Sequence, residues 1–220
     1  MDQREAILAK IRSQAAGGEA ETARRAAVAN RLALSPKGVI PSRGQVHGRQ
    51  RVDLFCKQAE LVQATTHRVT TYDAVPEAIS KYLRMRNLPQ TLRMGRDTRL
   101  LSMDWSQTPY IQRSISPSDG SDQIGLSHAS GGVAETGTVI MTSGADNPTT
   151  INFLPDHHII VVHSGDIEGD YETALERIRQ NYGKGRMPRT VNMITGPSRS
   201  ADIEQKLLLG AHGPRSLHLI

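Results

Sequence analysis

The sequence predicts an α/β fold, a largely parallel sheet flanked by helices over residues 51–220, preceded by an N-terminal helical arm and linker over residues 1–50. Three observations carry this. Strand-length apolar runs, clearest in His158-Ile-Ile-Val-Val-His163, alternate with segments whose apolar residues recur every three or four positions. Glycine- and proline-bearing polar turns separate the two kinds of segment, the pattern expected of strands joined by helical crossovers. A chain of 220 residues can also bury on the order of 70% of its unfolded surface, enough for a real core.

The elements follow in order. Ile7, Leu8 and Ile11 mark a short amphipathic helix over 4–12, broken at 15–18, and an Ala- and Arg-rich helix is expected over 21–34. Residues 35–50 hold two prolines, three glycines and several basic side chains with little to bury, and read as a linker or extended arm. Separated from the core by this stretch, the arm is expected to serve association, with a second copy or with partners, or to fold back onto its own domain as cover. Val52, Phe55, Ala59 and Val62 give a helix over 51–64, followed by a strand over 67–71. Val75, Ile79 and Leu83 give a helix over 74–87. Strands are expected over 91–95, around Ile124, over 136–142, over 158–163, over 191–195 and over 216–220. Short helices are expected over 100–105, from Asn147 (N-cap) and Pro148 (N1) to Phe153, and over 201–206. Tyr171, Leu175, Ile178 and Tyr182 line one face of a helix over 170–182 that Gly183 is suited to end.

Composition removes several functions. No apolar run approaches the ~20 residues of a membrane helix and no signal-peptide core follows Met1, so a soluble, cytoplasmic protein without a membrane span is expected. Cys56 is the only cysteine, which excludes an internal disulfide and an iron–sulfur cluster held by this chain alone. On the apolar face of its helix it reads as a buried, inert thiol. The net charge of +5 is uneven: nineteen Lys/Arg against eleven Asp/Glu in residues 1–120, eight against eleven in the remainder. The arginines follow no nucleic-acid motif, and nucleic acid is not the expected partner. GxGxxG, GxxxxGK[ST] and HExxH are all missing from the sequence, and His157, His158 and His163 are spaced along one strand so that they cannot meet at one metal; no metal site is expected.

Four polar segments fall where open α/β sheets bind ligands. In Ser130-Gly-Gly-Val-Ala-Glu135-Thr136-Gly-Thr138, Glu135 suits a nucleophile or general base approached through open backbone, or a carboxylate that caps backbone N–H groups. In Thr142-Ser143-Gly144-Ala-Asp-Asn147-Pro148, the small hydroxyls beside a helix start suit an anion, or the whole is a capped turn. Thr195-Gly-Pro-Ser198-Arg199-Ser-Ala-Asp202-Ile-Glu204 suits a carboxylate or phosphate, or an internal Arg199–Asp202 ion pair. In Gly210-Ala-His212-Gly-Pro214, His212 is a proton carrier or a turn residue. The candidate catalytic residues are therefore Glu135 and His212. The candidate substrate-binding residues are Thr136, Thr138, Ser143, Ser198, Arg199 and Asp202, with Glu135, Ser143, Ser198, Arg199 and His212 expected to converge in one pocket.

These segments, in this order and together with Leu154-Pro-Asp-His-His-Ile-Ile-Val-Val162, Ser102-Met-Asp-Trp105 and Ile124-Gly-Leu-Ser-His-Ala129, resemble the LUD domain family over about residues 50–220. Ser200 stands where that family more often has Thr. The resemblance implies a fold similar to the NagB/RpiA/CoA-transferase group and a role in L-lactate utilisation, oxidising lactate to pyruvate with iron–sulfur partner proteins. It implies no cofactor in this chain, the clusters being expected in the partners, and leaves a small organic acid and a second copy of the chain as further binding partners. The alternatives are a stand-alone acyl- or CoA-transferase-like enzyme using Glu135, and a non-catalytic structural module.

Overall fold

The computed structural model describes residues 2–15, 18–34, 37–183, 185–200 and 208–220. The chain divides into two compact units, Met1–Val39 and Ile40–Ile220. The first holds α1 (Gln3–Ala15) and α2 (Gly18–Leu34), with Arg25 and Glu21 paired across one turn of α2. Among the described residues, every strand lies in the second. Residues 40–50, part of the stretch read as linker, fall within this second unit. Gly44, in the 3-10 turn Ser42–Gly44, is buried against Gly169 so closely that a Cβ on either would lie 2.3 Å from the other's carbonyl oxygen. Beside it, Gln45 Nε2 donates to Asp170 Oδ2 at 2.9 Å.

After α3 (Gly48–Leu61) the chain forms β1 (Thr65–Thr66), α4 (Val75–Met85), β2 (Thr91–Met94), α5 (Thr98–Leu101), β3 (Gln112–Ile115) and β4 (Ile124–His128). Next come β5 (Gly131–Val133), β6 (Thr138–Thr142), β7 (His157–Val161), β8 (Ile167–Glu168) and α6 (Tyr171–Tyr182). The last strands are β9 (Val191–Ile194), β10 (Arg199–Ser200), β11 (Leu208–Leu209) and β12 (Ser216–Leu219). Six of them form a parallel sheet in the order β1-β12-β7-β4-β2-β3.

Parallel strands need cover on both faces. On one face Val75, Ile79, Tyr82 and Leu83 of α4, spaced i, i+4, i+7 and i+8, pack on Leu92, Met94, Ile124, Leu126, Ile159 and Val161. On the other, the cover is Phe55 and Ala59 of α3 and a second sheet, β8-β5-β6-β9, which meet Ile160, Leu217 and Leu219 through Val139 and Met141. In that second sheet β5–β6 and β6–β9 are antiparallel, and α6 covers its far side through Ala174 and Ile178 on Val133 and Ile140.

Four expectations are corrected. The strand expected over 67–71 is Thr65–Thr66 instead, paired with His218 and Leu219 of β12, and the His67 N–H closes the ladder on the Leu219 carbonyl. Residues 136–142 build the second, antiparallel sheet rather than the parallel one. The glycines 131 and 132, read as a turn, form β5, where a Cβ on Gly132 would press the Phe55 ring at 3.0 Å. The Asn147–Pro148 segment leads only into a 3-10 turn, Thr149–Asn152, with Pro148 at its N-cap and the Asn147 amide donating to the Thr142 carbonyl instead. The helix expected over 201–206 lies outside the described residues. At α6 the reading holds: Asp170 caps Thr173 N–H at 2.9 Å, and Gly183 follows the last turn at φ 89°.

Gly137 adopts φ 66°, and a Cβ there would lie 2.2 Å from the Ala59 backbone nitrogen. Gly137→Ala is expected to cost roughly 2–4 kcal/mol in urea unfolding, since a left-handed backbone and a backbone clash act together. A loss below 1 kcal/mol would show that α3 does not hold this turn.

Two core histidines couple stability to pH. Burial lowers His158 to about 3 and His218 to about 4. Unfolded, both titrate near the ordinary value of about 6.5, so the unfolded chain binds protons the folded chain refuses. Their stabilisation is complete above that value and falls with pH by about 1.4 kcal/mol per unit for each histidine. Urea unfolding between pH 5 and 6.5, above most carboxylate titration, checks this. A flat profile would mean that one or both are open to water.

Candidate functional site

From β2 the chain leaves the parallel sheet toward one face, where Leu100, Met103 and Trp105 join the α4 side of the core. From its neighbour β4 it leaves toward the other, where Ala129, Ala134 and Val139 join the second-sheet side. The ends of two adjacent parallel strands whose connections part in this way open a crevice, the usual ligand position in such sheets.

Polar side chains fill that crevice. Asp97, just past β2, caps α5 by accepting from Arg99 N–H at 2.9 Å, and its carboxylate is forked by Arg99 Nε at 3.0 Å and Nη2 at 2.6 Å. Burial pushes the Asp97 carboxyl up, but the Arg99 guanidinium and backbone donor outweigh it, so it ionises below the ordinary carboxylate range. Arg99 keeps its Nη1 without a hydrogen-bond partner among the described residues. His128 ends β4 and is buried. Its Nδ1 lies 2.8 Å from the Ala129 carbonyl, which only accepts, so Nδ1 carries the proton and Nε2 accepts from the Tyr72 hydroxyl at 3.0 Å. Burial, then the Arg99 charge, lowers the His128 pKa, and burial raises that of Tyr72. The pair is therefore neutral imidazole and neutral phenol near pH 7.

A polar cleft of about 390 Å³ adjoins Arg99, lined also by Ser130, Thr142, Asp166, Glu168 and Arg177. Arg177 pairs with Asp166 and, at 3.2 Å, with Glu168, which Arg51 reaches at 3.4 Å. Tyr72 also forms part of the wall of a more apolar cleft of about 290 Å³ with Phe55, Val75, Val161 and His163. Cys56 lines this cleft and is half-buried, not the fully buried thiol its helical position suggests.

The residues singled out from sequence separate into four places. Ser198, Arg199 and His212 meet in a third cleft of about 280 Å³, where His212 N–H donates to Ser198 Oγ at 3.2 Å. Thr136 and Thr138 join Tyr171 and Thr195 in a hydroxyl cluster, with Thr138 fully buried. Ser143 sits at the opposite end of β6, exchanging hydrogen bonds with Thr190. Along the same strand it lies five residues, roughly 17 Å, from Thr138. Glu135 is buried under Gly44; Arg43 Nε stands 3.7 Å from its Oε2, which accepts no hydrogen bond, and it lines none of the three clefts. The expected single pocket is thus not formed. Asp202 lies outside the described residues. Among the described residues no three His, Cys, Asp or Glu side chains could hold a metal ion.

Tyr72, Asp97, Arg99 and His128 went unnoticed in the sequence. The signal was available at two positions: Asp97-Thr-Arg99 follows one apolar strand, and His128 closes another immediately before Ser130-Gly-Gly.

An α/β protein with a polar, histidine-bearing crevice at the carboxyl ends of its parallel strands is the class these features define. The LUD domain family model matches residues 51–220, and the chain belongs to that family. It is 36% identical over 103 residues to lactate utilization protein C of Shouchella clausii (strain KSM-K16), a match covering 47% of this chain. That match spans only 44% of the Shouchella protein's length. It is 28% identical over 191 residues to the uncharacterized protein YkgG of Escherichia coli (strain K12), covering 80% of this chain and 81% of that protein. In fold it is similar to a DUF162 family protein from Deinococcus radiodurans, with TM-score 0.60 and 20% identity over 80% of this chain and 98% of that one. Among the described residues no helix is long and apolar enough to cross a membrane.

The tautomer can be read directly. Nitrogen-15 NMR is expected to show His128 protonated at Nδ1 and titrating below the ordinary 6.5, whereas a signal protonated at Nε2 would invert the direction of the Tyr72–His128 hydrogen bond.

Proposed function

We propose that this chain is the organic-acid-handling component of a cytoplasmic L-lactate utilisation system, in which lactate is oxidised to pyruvate and iron–sulfur partner proteins take up the two electrons. The name carried by the Shouchella relative supports the pathway. The observation that supports the site is the chain of hydrogen bonds from Tyr72 through His128 to the Ala129 carbonyl, with the Arg99 guanidinium near enough for its charge to act on both rings. The Tyr72 proton already points at His128 Nε2, which leaves the phenol oxygen as an acceptor for a ligand hydroxyl. A 2-hydroxy acid with its carboxylate on Arg99 Nη1 passes its hydroxyl proton to Tyr72 as the Tyr72 proton moves to His128; the C2–H bond then breaks, its two electrons passing singly to the partners' clusters and its proton to water, and the C2–O bond becomes the carbonyl of pyruvate. The lowered His128 pKa keeps the imidazole free to accept down to mildly acidic pH.

The test is L-lactate-dependent reduction of an artificial acceptor by the chain combined with its co-purified partners. Tyr72→Phe and His128→Gln are expected to lower kcat about 100-fold or more, the usual range for a positioned acid or base. Arg99→Gln acts mainly on KM. The acid limb of kcat/KM falls below pH 6.5, because activity needs neutral His128 and its pKa is depressed. Full activity in both Tyr72→Phe and His128→Gln would refute the site; partners that oxidise L-lactate at the full rate without this chain would refute the role.

A further inference from the structure

We propose that the cleft between the Thr195–Arg199 turn and the His212–Pro214 turn is a second ligand site, distinct from the crevice at His128, for a small organic anion with an uncharged amide-type head. The cleft holds about 280 Å³, room for a molecule rather larger than a simple hydroxy acid.

Its floor is made of groups that ask for a partner. Asn152 is 2% exposed and lines the cleft, yet neither its Oδ1 nor its Nδ2 has a hydrogen bond. His158, 1% exposed, lines it too; Nε2 contacts Ser127 Oγ at 3.0 Å, and Nδ1 is unpartnered. An unmade hydrogen bond at a buried polar atom is costly and uncommon enough to need a reason. Here three such atoms lie together under one cleft. A primary amide or an equivalent edge offers one acceptor and one donor side by side, the complement of the Asn152 side chain. His158 Nδ1 adds one unpartnered hydrogen-bonding atom of a neutral, buried imidazole beside the Asn152 amide.

The rim selects the other end of the ligand. Arg199 is exposed and, among the described residues, has no carboxylate partner, unlike Arg51, Arg93, Arg99 and Arg177, which all do. Ser198 and His212 stand beside it. The turn is fixed: Gly196 has φ 76°, and a Cβ there would lie 2.2 Å from the Val62 carbonyl oxygen. Ser198 N–H and Gly210 N–H close hydrogen bonds to the Pro214 and Ser198 carbonyls. A guanidinium on a rigid turn takes carboxylate or phosphate alike.

Nitrogen-15-labelled full-length protein is titrated with succinamate, phosphonoacetamide, acetate and inorganic phosphate. Succinamate or phosphonoacetamide, or both, is expected to shift the Asn152 side-chain amide signals and to bind at least tenfold more tightly than acetate or phosphate. Preference for succinamate assigns a carboxylate ligand; preference for phosphonoacetamide assigns a phosphate ester. Arg199→Gln weakens both about tenfold. Asn152→Leu removes the advantage of the amide-bearing probes while leaving the bare anions unchanged, and its thermal unfolding shows whether the fold persists. If the amide-bearing probes bind no better than the bare anions to the unaltered protein, or if Arg199→Gln leaves every affinity as it was, the site is overturned. Tyr72→Phe, which alters the other crevice, leaves all four titrations unchanged; coupled loss would mean that the two clefts are one site.

Discussion

A parallel sheet exposes apolar side chains on both faces, and everything else in this domain follows from how the two are covered. One face takes α4, the ordinary solution. The other takes α3 and a second sheet, itself covered by α6, so the chain must leave the first sheet after β4, build β5 and β6, and return as β7. That excursion sends the β4 connection away from the β2 connection and opens the crevice where Asp97, Arg99 and His128 stand. The candidate site is a by-product of covering hydrophobic area, placed by topology before any polar contact is made.

Burial then sets the chemistry of the histidines. His128, His157, His158 and His218 all have lowered pKa values, desolvation being the first cause in each. A neutral imidazole has one donor and one acceptor, so its neighbours determine its direction. The Ala129 carbonyl does so for His128, which leaves Nε2 turned to Tyr72. His218 stacks on Tyr82 at 4.2 Å between ring centroids and is bonded to Thr65. The same desolvation thus serves packing at His218 and, at a strand end, poises a proton acceptor.

The sequence was legible where one element owns its own pattern. The α4 stripe, the Asp170 and Gly183 ends of α6 and the β7 apolar run each follow from local residues. Local pattern does not show which sheet a strand joins. Thr-Val-Ile-Met-Thr reads alike in a parallel or an antiparallel neighbourhood, and the pairing of β6 with β9 is decided by residues some fifty positions away. That one ambiguity separates Ser143 from Arg199, because antiparallel pairing carries the two glycine-bearing turns to opposite ends. The family motifs were recognisable as a set, but their order along the chain holds no information about which of them meet. Tyr72 and His128, 56 residues apart, come together only through the strand order.

Glu135 shows how a motif residue can be prominent in sequence and closed in structure. Glycines on both sides of it suggest open backbone, yet each gap is filled from elsewhere in the chain. Gly137 lies against the backbone of Ala59, and Gly132 against the Phe55 ring. The turn at Gly44 closes over the carboxylate from a segment that composition alone marks as a linker. Small residues around a polar one are equally the sign of a substrate's approach and of another chain segment's approach. Here the second applies, since Gly44 can come this close only to another glycine, and Gly169 supplies it. The glycines near Glu135 are accounted for by packing of α3 and the 42–44 turn. The unpaired polar atoms beneath Ser198 and Arg199 have no such partner among the described residues, and a ligand in that cleft would supply one.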